Sequence, residues 1–170
     1  MGLESRGRAI DKPAAFSKDE LMSSLVTCSV DVVLFDSQEV RNRLRELQAI
    51  ARTDCVPNYN FLGGVRIFGC LEAQRIIAFG GLTHRDGDWV LGRCVVHPDH
   101  RGRGLQKRLI SARLDNAMSL GAKEVIVWVE PGNLFSINNL VESGFVWRDV
   151  PIYQLYGRPH ISLVYNVPNP

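Results

Sequence analysis

The stretch "VVHPDHRGRGLQKRL", residues 95–109, decides the fold. Two valines end an apolar run, and Pro98 follows two positions on. Arg101, Arg103, Lys107 and Arg108 then surround Gly102 and Gly104, and a helical pattern begins. A helix start presents unpaired backbone N–H groups and the positive end of the macrodipole, so it attracts anions. Gly102 and Gly104 carry no Cβ, which lets a phosphate approach the amides closely. Arg101, Arg103 and Lys107 would add charge-assisted contacts. The same Gly-x-Gly also suits a plain tight turn. It is not the dinucleotide fingerprint, because Lys107 stands at the last glycine position, and it is not a P-loop.

On the N-terminal side of this turn, "VRIFGCLE" (65–72), "RIIAFGGLT" (75–83) and "WVLGRCVV" (89–96) read as strands. Turns near Ala73-Gln74 and at "HRDGD" make them an antiparallel meander. On its C-terminal side, residues 104–120 form a helix closed by Gly121. "EVIVWV" (124–129) is apolar at almost every position, as in a strand covered on both faces. A helix over 133–143 ends before Gly144, and "FVW" and "HISLVY" are two further strands. Strand 89–96, its helix and strand 124–129 make a βαβ unit, so these two strands should be parallel.

Before the meander, "VDVVLFD" (30–36) is a strand. Residues 37–52 are an amphipathic helix with Val40, Leu44, Leu47 and Ile50 on its apolar stripe. Ser17 and Glu20 form a capping box for a short helix over 17–28. Residues 1–15 read as a flexible arm and 53–64 as a loop carrying aromatics. The expectation is one α/β domain, 16–170, built on a mixed sheet with helices on both faces.

Of the 170 residues, 45% are apolar and 22% charged, as in an ordinary globular protein. A net charge of +2 is too small to call for nucleic acid or an anionic membrane. Cys28, Cys55, Cys70 and Cys94 form no CxxC, and no Cys/His set has zinc-ligand spacing, so no metal is expected. There is no apolar run of about 18 residues, and the N-terminal stretch lacks a signal-peptide hydrophobic region. These features suit a cytoplasmic protein.

"VVHPDHRGRGLQ" resembles the acyl-CoA-binding signature of the GNAT superfamily of N-acetyltransferases. There a strand ending V-x-P is followed by [Q/R]-x-x-G-x-[G/A] and a helix. Arg101, Gly104 and Gln106 fall at the signature positions, and Gln106 departs from the usual small residue. "NLFSINNLVESGF" (133–145) resembles the second family motif, N-x-x-[AS] followed by Gly-Phe. The resemblance covers roughly 30–166. It implies the GNAT-like fold, in which two parallel strands splay apart and the cofactor lies in the V, with a bulge for which Gly92 is a candidate. It implies acetyl-CoA as acyl donor. Cys94, Val95 and Val96 would line the pantetheine arm through their backbone. Gly102, Arg103, Gly104, Leu105, Gln106 and Lys107 would cradle the pyrophosphate, and Asn133 would bond the pantetheine.

The implied reaction is direct attack of a primary amine on the thioester through a tetrahedral intermediate. The oxyanion needs a donor, for which the amide near Val96 is the candidate. The amine must lose a proton, since a free alkyl amine is mostly protonated at neutral pH. The family's usual base and acid cannot be assigned: the strand before the turn reads "LGRCVV", Trp128 replaces a second common Glu, and Leu140 replaces the Tyr. Glu130, His97 and Tyr153 are the substitute candidates, with His84, Tyr156 and His160 behind them. Cys94 reads as a packed thiol rather than a nucleophile. The acceptor pocket is expected between loop 53–64 (Asp54, Tyr59, Phe61) and connection 149–160 (Asp149, Tyr153, Tyr156). The partner is an amine of unknown identity, with no nucleic acid and no membrane; a homodimer stays open. A non-catalytic acyl-CoA-binding protein on the same fold is the alternative.

Overall fold

The computed structural model describes residues 30–33, 38–50, 65–73, 75–155 and 157–168. The arm 1–15, the helix expected over 17–28 and the loop 53–64 lie outside the described residues.

The elements run β1 (Val30–Val33), α1 (Gln38–Ile50), β2 (Val65–Glu72), β3 (Arg75–Arg85), β4 (Asp88–Val96), α2 (Leu105–Ser119), β5 (Glu124–Val129), α3 (Leu134–Glu142), β6 (Val146–Trp147), β7 (Tyr153–Leu155) and β8 (Arg158–Asn166). A single 3-10 turn, Pro98–His100, separates β4 from the glycine turn. The sheet order is β1-β2-β3-β4-β5-β8-β6, with β7 paired to β8. The expected mixed, two-faced architecture is present. β2, β3 and β4 form the antiparallel meander, and β4 pairs with β5 in parallel. β8 contains the expected strand "HISLVY", whereas β7 and the first residues of β8 fall in what reads in the sequence as the connection 149–160.

Local chemistry explains the turns. Asp86 and Gly87 take φ +55 and +91 between β3 and β4. Two successive positive φ values suit the right-handed twist of a two-residue hairpin. Gly121 and Gly144 take φ +85 and +91 just past α2 and α3. Ala122 N donates to Ala117 O and Phe145 N to Leu140 O, closing both helices in the Schellman pattern.

The two faces of the sheet carry separate cores, as the two-residue period of a strand requires. Ile67, Phe79 and Val95 meet Leu44 and Leu47 of α1. Phe68, Ala78, Leu91 and Val127 meet Leu105, Leu109, Ile110 and Leu114 of α2, with Ile137 and Leu140 of α3. Fully burying each of the larger apolar side chains contributes roughly 1.5–3 kcal/mol. Ile50, placed by the sequence on the apolar stripe of α1, is exposed at the end of that helix.

Candidate functional site

β4 and β5 pair only at Trp89–Val125, Val90–Ile126 and Leu91–Val127. Beyond Leu91 they part, although β4 continues to Val96 and β5 to Val129. The cause is a bulge in β4. Phe79 pairs with Val95 and Gly81 with Gly92, so Gly80 faces two residues, Arg93 and Cys94. A bulge bends its strand and raises the local twist. The left-handed residue is Arg93, at φ +55, one position beyond the glycine that sequence reasoning favoured.

The parted edge offers hydrogen bonds. His97 N donates to Ile77 O of β3 at 2.8 Å. N–H groups alternate in direction along a strand, so those of Val96 and Cys94 face the edge that β5 has left. Cys94 and Val96 line a cleft of about 700 Å³. Its other walls are His100, Arg101, Gly102, Gly104, Leu105, Gln106 and Lys107 from the turn, and Asn133, Phe135 and Asn139 from α3.

At the mouth of the cleft, Gly102 and Gly104 take φ +74 and +71, a backbone that few L side chains adopt. Gly104 caps α2 without any side-chain hydrogen bond, and the first helical bond is Arg108 N to Gly104 O. The amides of Leu105, Gln106 and Lys107 therefore precede the hydrogen-bonded ladder and open on the cleft. Lys107 pairs with Glu142 of α3.

Two expected binding residues are also structural. Asn133 Oδ1 accepts from Ser136 N at 3.2 Å, capping α3. Gln106 lines the cleft, and its side-chain amide is held by α3. Its Nε2 donates to Ser136 Oγ at 2.9 Å, and its Oε1 accepts from Asn139 Nδ2 at 2.9 Å. The turn and α3 are thereby clamped together. Arg103 directs its guanidinium to Glu72 Oε1, 2.9 Å away, and to His100 Nδ1. This hydrogen bond, with Arg103's charge, holds the Glu72 carboxyl below its usual range. Val95 turns its side chain into the α1 core, leaving its backbone on β4.

The candidate proton-transfer residues fall in different places. His97 follows β4, and its Nδ1 accepts from Asp99 N at 3.2 Å, which leaves the proton of the neutral ring on Nε2. Glu130 directly follows β5 and pairs with Arg158 at 3.3 Å. Tyr153 lies over Trp128 of β5, with ring centroids 5.2 Å apart. Glu130 and Tyr153 thus gather where the β7–β8 hairpin meets the end of β5. His160 Nδ1 lies 3.0 Å from Arg158 O on the same hairpin. His84 stacks on Trp89 at the opposite end of β4. Asp149 is exposed, and Asp54, Tyr59, Phe61 and Tyr156 lie outside the described residues. Burial pushes the Cys94 thiol up, against the pull of Arg113 beside it, and a raised thiol is a poor nucleophile. Among the described residues no group of three or more His, Cys, Asp or Glu is placed to hold a metal, and no helix is long and apolar enough to cross a membrane.

The model of the acetyltransferase (GNAT) family matches residues 36–145, which contain both strands of the notch and the turn between them. The chain belongs to that family. This GNAT chain is similar to the L-amino acid N-acyltransferase MnaT of Escherichia coli K12, at 37% identity over 69 residues. That match spans 41% of this chain and 38% of MnaT. Its fold is shared with the ribosomal-protein-S18-alanine N-acetyltransferase of Escherichia coli, at TM-score 0.67 and 16% identity, over 81% of this chain and 92% of that one. It is shared also with a Bacillus subtilis acetyltransferase solved with CoA, at TM-score 0.64 and 12% identity, over 81% and 97%.

Sequence reasoning missed Arg113, a buried arginine under the bulge. The signal was present: a charged residue on the Leu109, Ile110, Leu114, Ala117 stripe of α2, facing the paired glycines Gly80 and Gly81.

Proposed function

We propose that this protein is an acetyl-CoA-dependent N-acetyltransferase that acetylates a primary amine. The observation that carries this reading is the continuity of one cleft, from the open edge of β4 at Cys94 and Val96 to the amides of Gly104–Lys107. A pantetheine arm can add to the free edge as a strand would, while the pyrophosphate meets the helix start. Arg101, Gly102, Gly104, Leu105, Gln106 and Lys107 would hold the diphosphate, with Arg103 contributing backbone. Asn133 keeps its Nδ2 for the pantetheine while its Oδ1 caps α3.

In the reaction the amine nitrogen bonds to the thioester carbonyl carbon, and the C–S bond breaks with its electron pair leaving on sulfur. The amide of Val96 faces the position where the oxyanion develops, and preorganised donors of this kind are a large part of catalysis. The amine proton passes to Glu130, to His97, or through water to solvent; Tyr153 is the candidate donor to the thiolate. An acceptor approaching the end of β5 meets all but His97 of this set.

Turnover tests the reading: release of CoA thiol from acetyl-CoA with a panel of amines. The panel should include free L-amino acids and an alanine-N-terminal peptide, the acceptors named for MnaT and the S18 acetyltransferase. Release with at least one amine well above hydrolysis is expected. Trp128 and the buried Leu140 stand at the positions where the family resemblance leads one to expect a base and an acid, and they favour a second reading, a non-catalytic acyl-CoA-binding protein. CoA binding with only background release across the panel would select it.

A further inference from the structure

Arg113 is 2% exposed, and it lies on the core-facing side of α2. Its Nε donates to Leu109 O at 2.8 Å. Its Nη1 donates to Gly81 O at 3.1 Å and to Gly92 O at 3.3 Å. Gly81 and Gly92 are the pair that immediately precedes the bulge. The guanidinium thus donates from below to the carbonyls of both strands at the last register pair before the bulge. Space for it comes from Gly80. A Cβ at Gly80 would stand 2.8 Å from Arg113 Cζ and 2.9 Å from Nη1. Among the described residues no carboxylate pairs with Arg113; its neighbours are these carbonyls and the Cys94 thiol. An isolated buried charge is costly unless hydrogen-bonded. An apolar residue would fill the same stripe of α2 without that cost, so stability alone does not account for an arginine there.

We infer that Arg113 is a positioning residue for the proposed acyl transfer. Its guanidinium locks the bulge of β4, and the bulge sets where the amides of Cys94 and Val96 stand against a thioester. This rests on the proposed acetyltransferase reading for its consequence, although not for its geometry. The planar fork reaches Leu109 O and two carbonyls on neighbouring strands together, which a lysine cannot do.

The experiment compares Arg113→Met, Arg113→Lys and Gly80→Ala in the full chain. Amide hydrogen exchange is followed by NMR without ligand. In Arg113→Met and Arg113→Lys, exchange at Val95 and His97, on the far side of the bulge, should accelerate at least about tenfold more than in the β2–β3 ladder. Gly80→Ala should do the same by evicting the guanidinium, and it takes over the test if Arg113→Met does not fold. Equal acceleration across both ladders, or none, overturns the inference. With an amine that the wild type acetylates, kcat for Arg113→Met should fall at least about tenfold while KM for acetyl-CoA stays within about threefold. An unchanged kcat, or a loss confined to KM, also overturns it. A wild type that neither binds CoA nor acetylates any amine defeats the functional reading instead, and the exchange criterion for Arg113 still stands.

Discussion

Replacing Gly104 by alanine separates what the glycine turn does for the fold from what it does for a ligand. Gly104 sits at φ +71, and a Cβ added there meets nothing within 4 Å. The cost to the free protein is then the left-handed backbone alone, roughly 1–2 kcal/mol. In a domain of this size each kcal/mol lowers Tm by roughly 2–4 °C, so a fall of roughly 2–8 °C is expected. The new methyl stands on the cleft wall beside the amides of Leu105–Lys107, where a diphosphate would lie. CoA affinity should drop at least about tenfold, which is about 1.4 kcal/mol. Gly121→Ala supplies the control. It too has positive φ, +85, and open space around its Cβ, but it caps the far end of α2. It should show the same thermal shift and leave binding unchanged. Differential scanning calorimetry and titration calorimetry with CoA measure the two quantities. Gly104→Ala binding CoA within about twofold of wild type, or Gly121→Ala weakening it equally, would refute the reasoning.

Gln106→Ala removes two part-buried hydrogen bonds between the turn and α3, each contributing about 0.5–1.5 kcal/mol net. Urea unfolding should show a loss of roughly 1–3 kcal/mol; a loss under about 0.5 would mean the clamp is idle. Asn133→Ala deletes the cap on Ser136 N and should cost about 1 kcal/mol. If its CoA affinity is unchanged once stability is accounted for, Asn133 serves α3 alone. Glu72→Gln tests the pair with Arg103. The Arg103 hydrogen bond depresses the Glu72 carboxyl below its ordinary 4.5, so the pair's contribution is present above that value and is lost as pH falls through the depressed one. The Tm gap between wild type and Glu72→Gln should therefore be small but present at pH 7 and close in acid; a gap that widens as pH falls would contradict the assignment.

Much of this was legible because it is local. Residues 95–109 place a strand, a turn and a helix start in one line, and Gly102 and Gly104 announce the positive φ they adopt. Gly121 and Gly144 mark helix ends for the same reason. The continuous apolar run of β5 reports burial on both faces. Tyr153–Leu155 gave no such signal, since so short a strand has too few residues to show a period. Gln106 showed in the sequence only as a departure from the family's small residue, because its partners, Ser136 and Asn139, are some thirty residues away in sequence.

By itself, then, the order of residues determined the parallel βαβ unit, the anion-attracting turn and the family to which the chain belongs. The first two depend on backbone preferences and apolar spacing along the chain, and the third on the resemblance of residues 95–106 and 133–145 to the family's two motifs. Tertiary structure alone decided that β4 parts from β5 after Leu91, that the bulge falls at Arg93–Cys94, and that Arg113 sits beneath it. These require groups from β3, β4, β5 and α2 to meet, and the hydrogen bonds of a buried guanidinium are fixed only when β3, β4 and α2 are packed together.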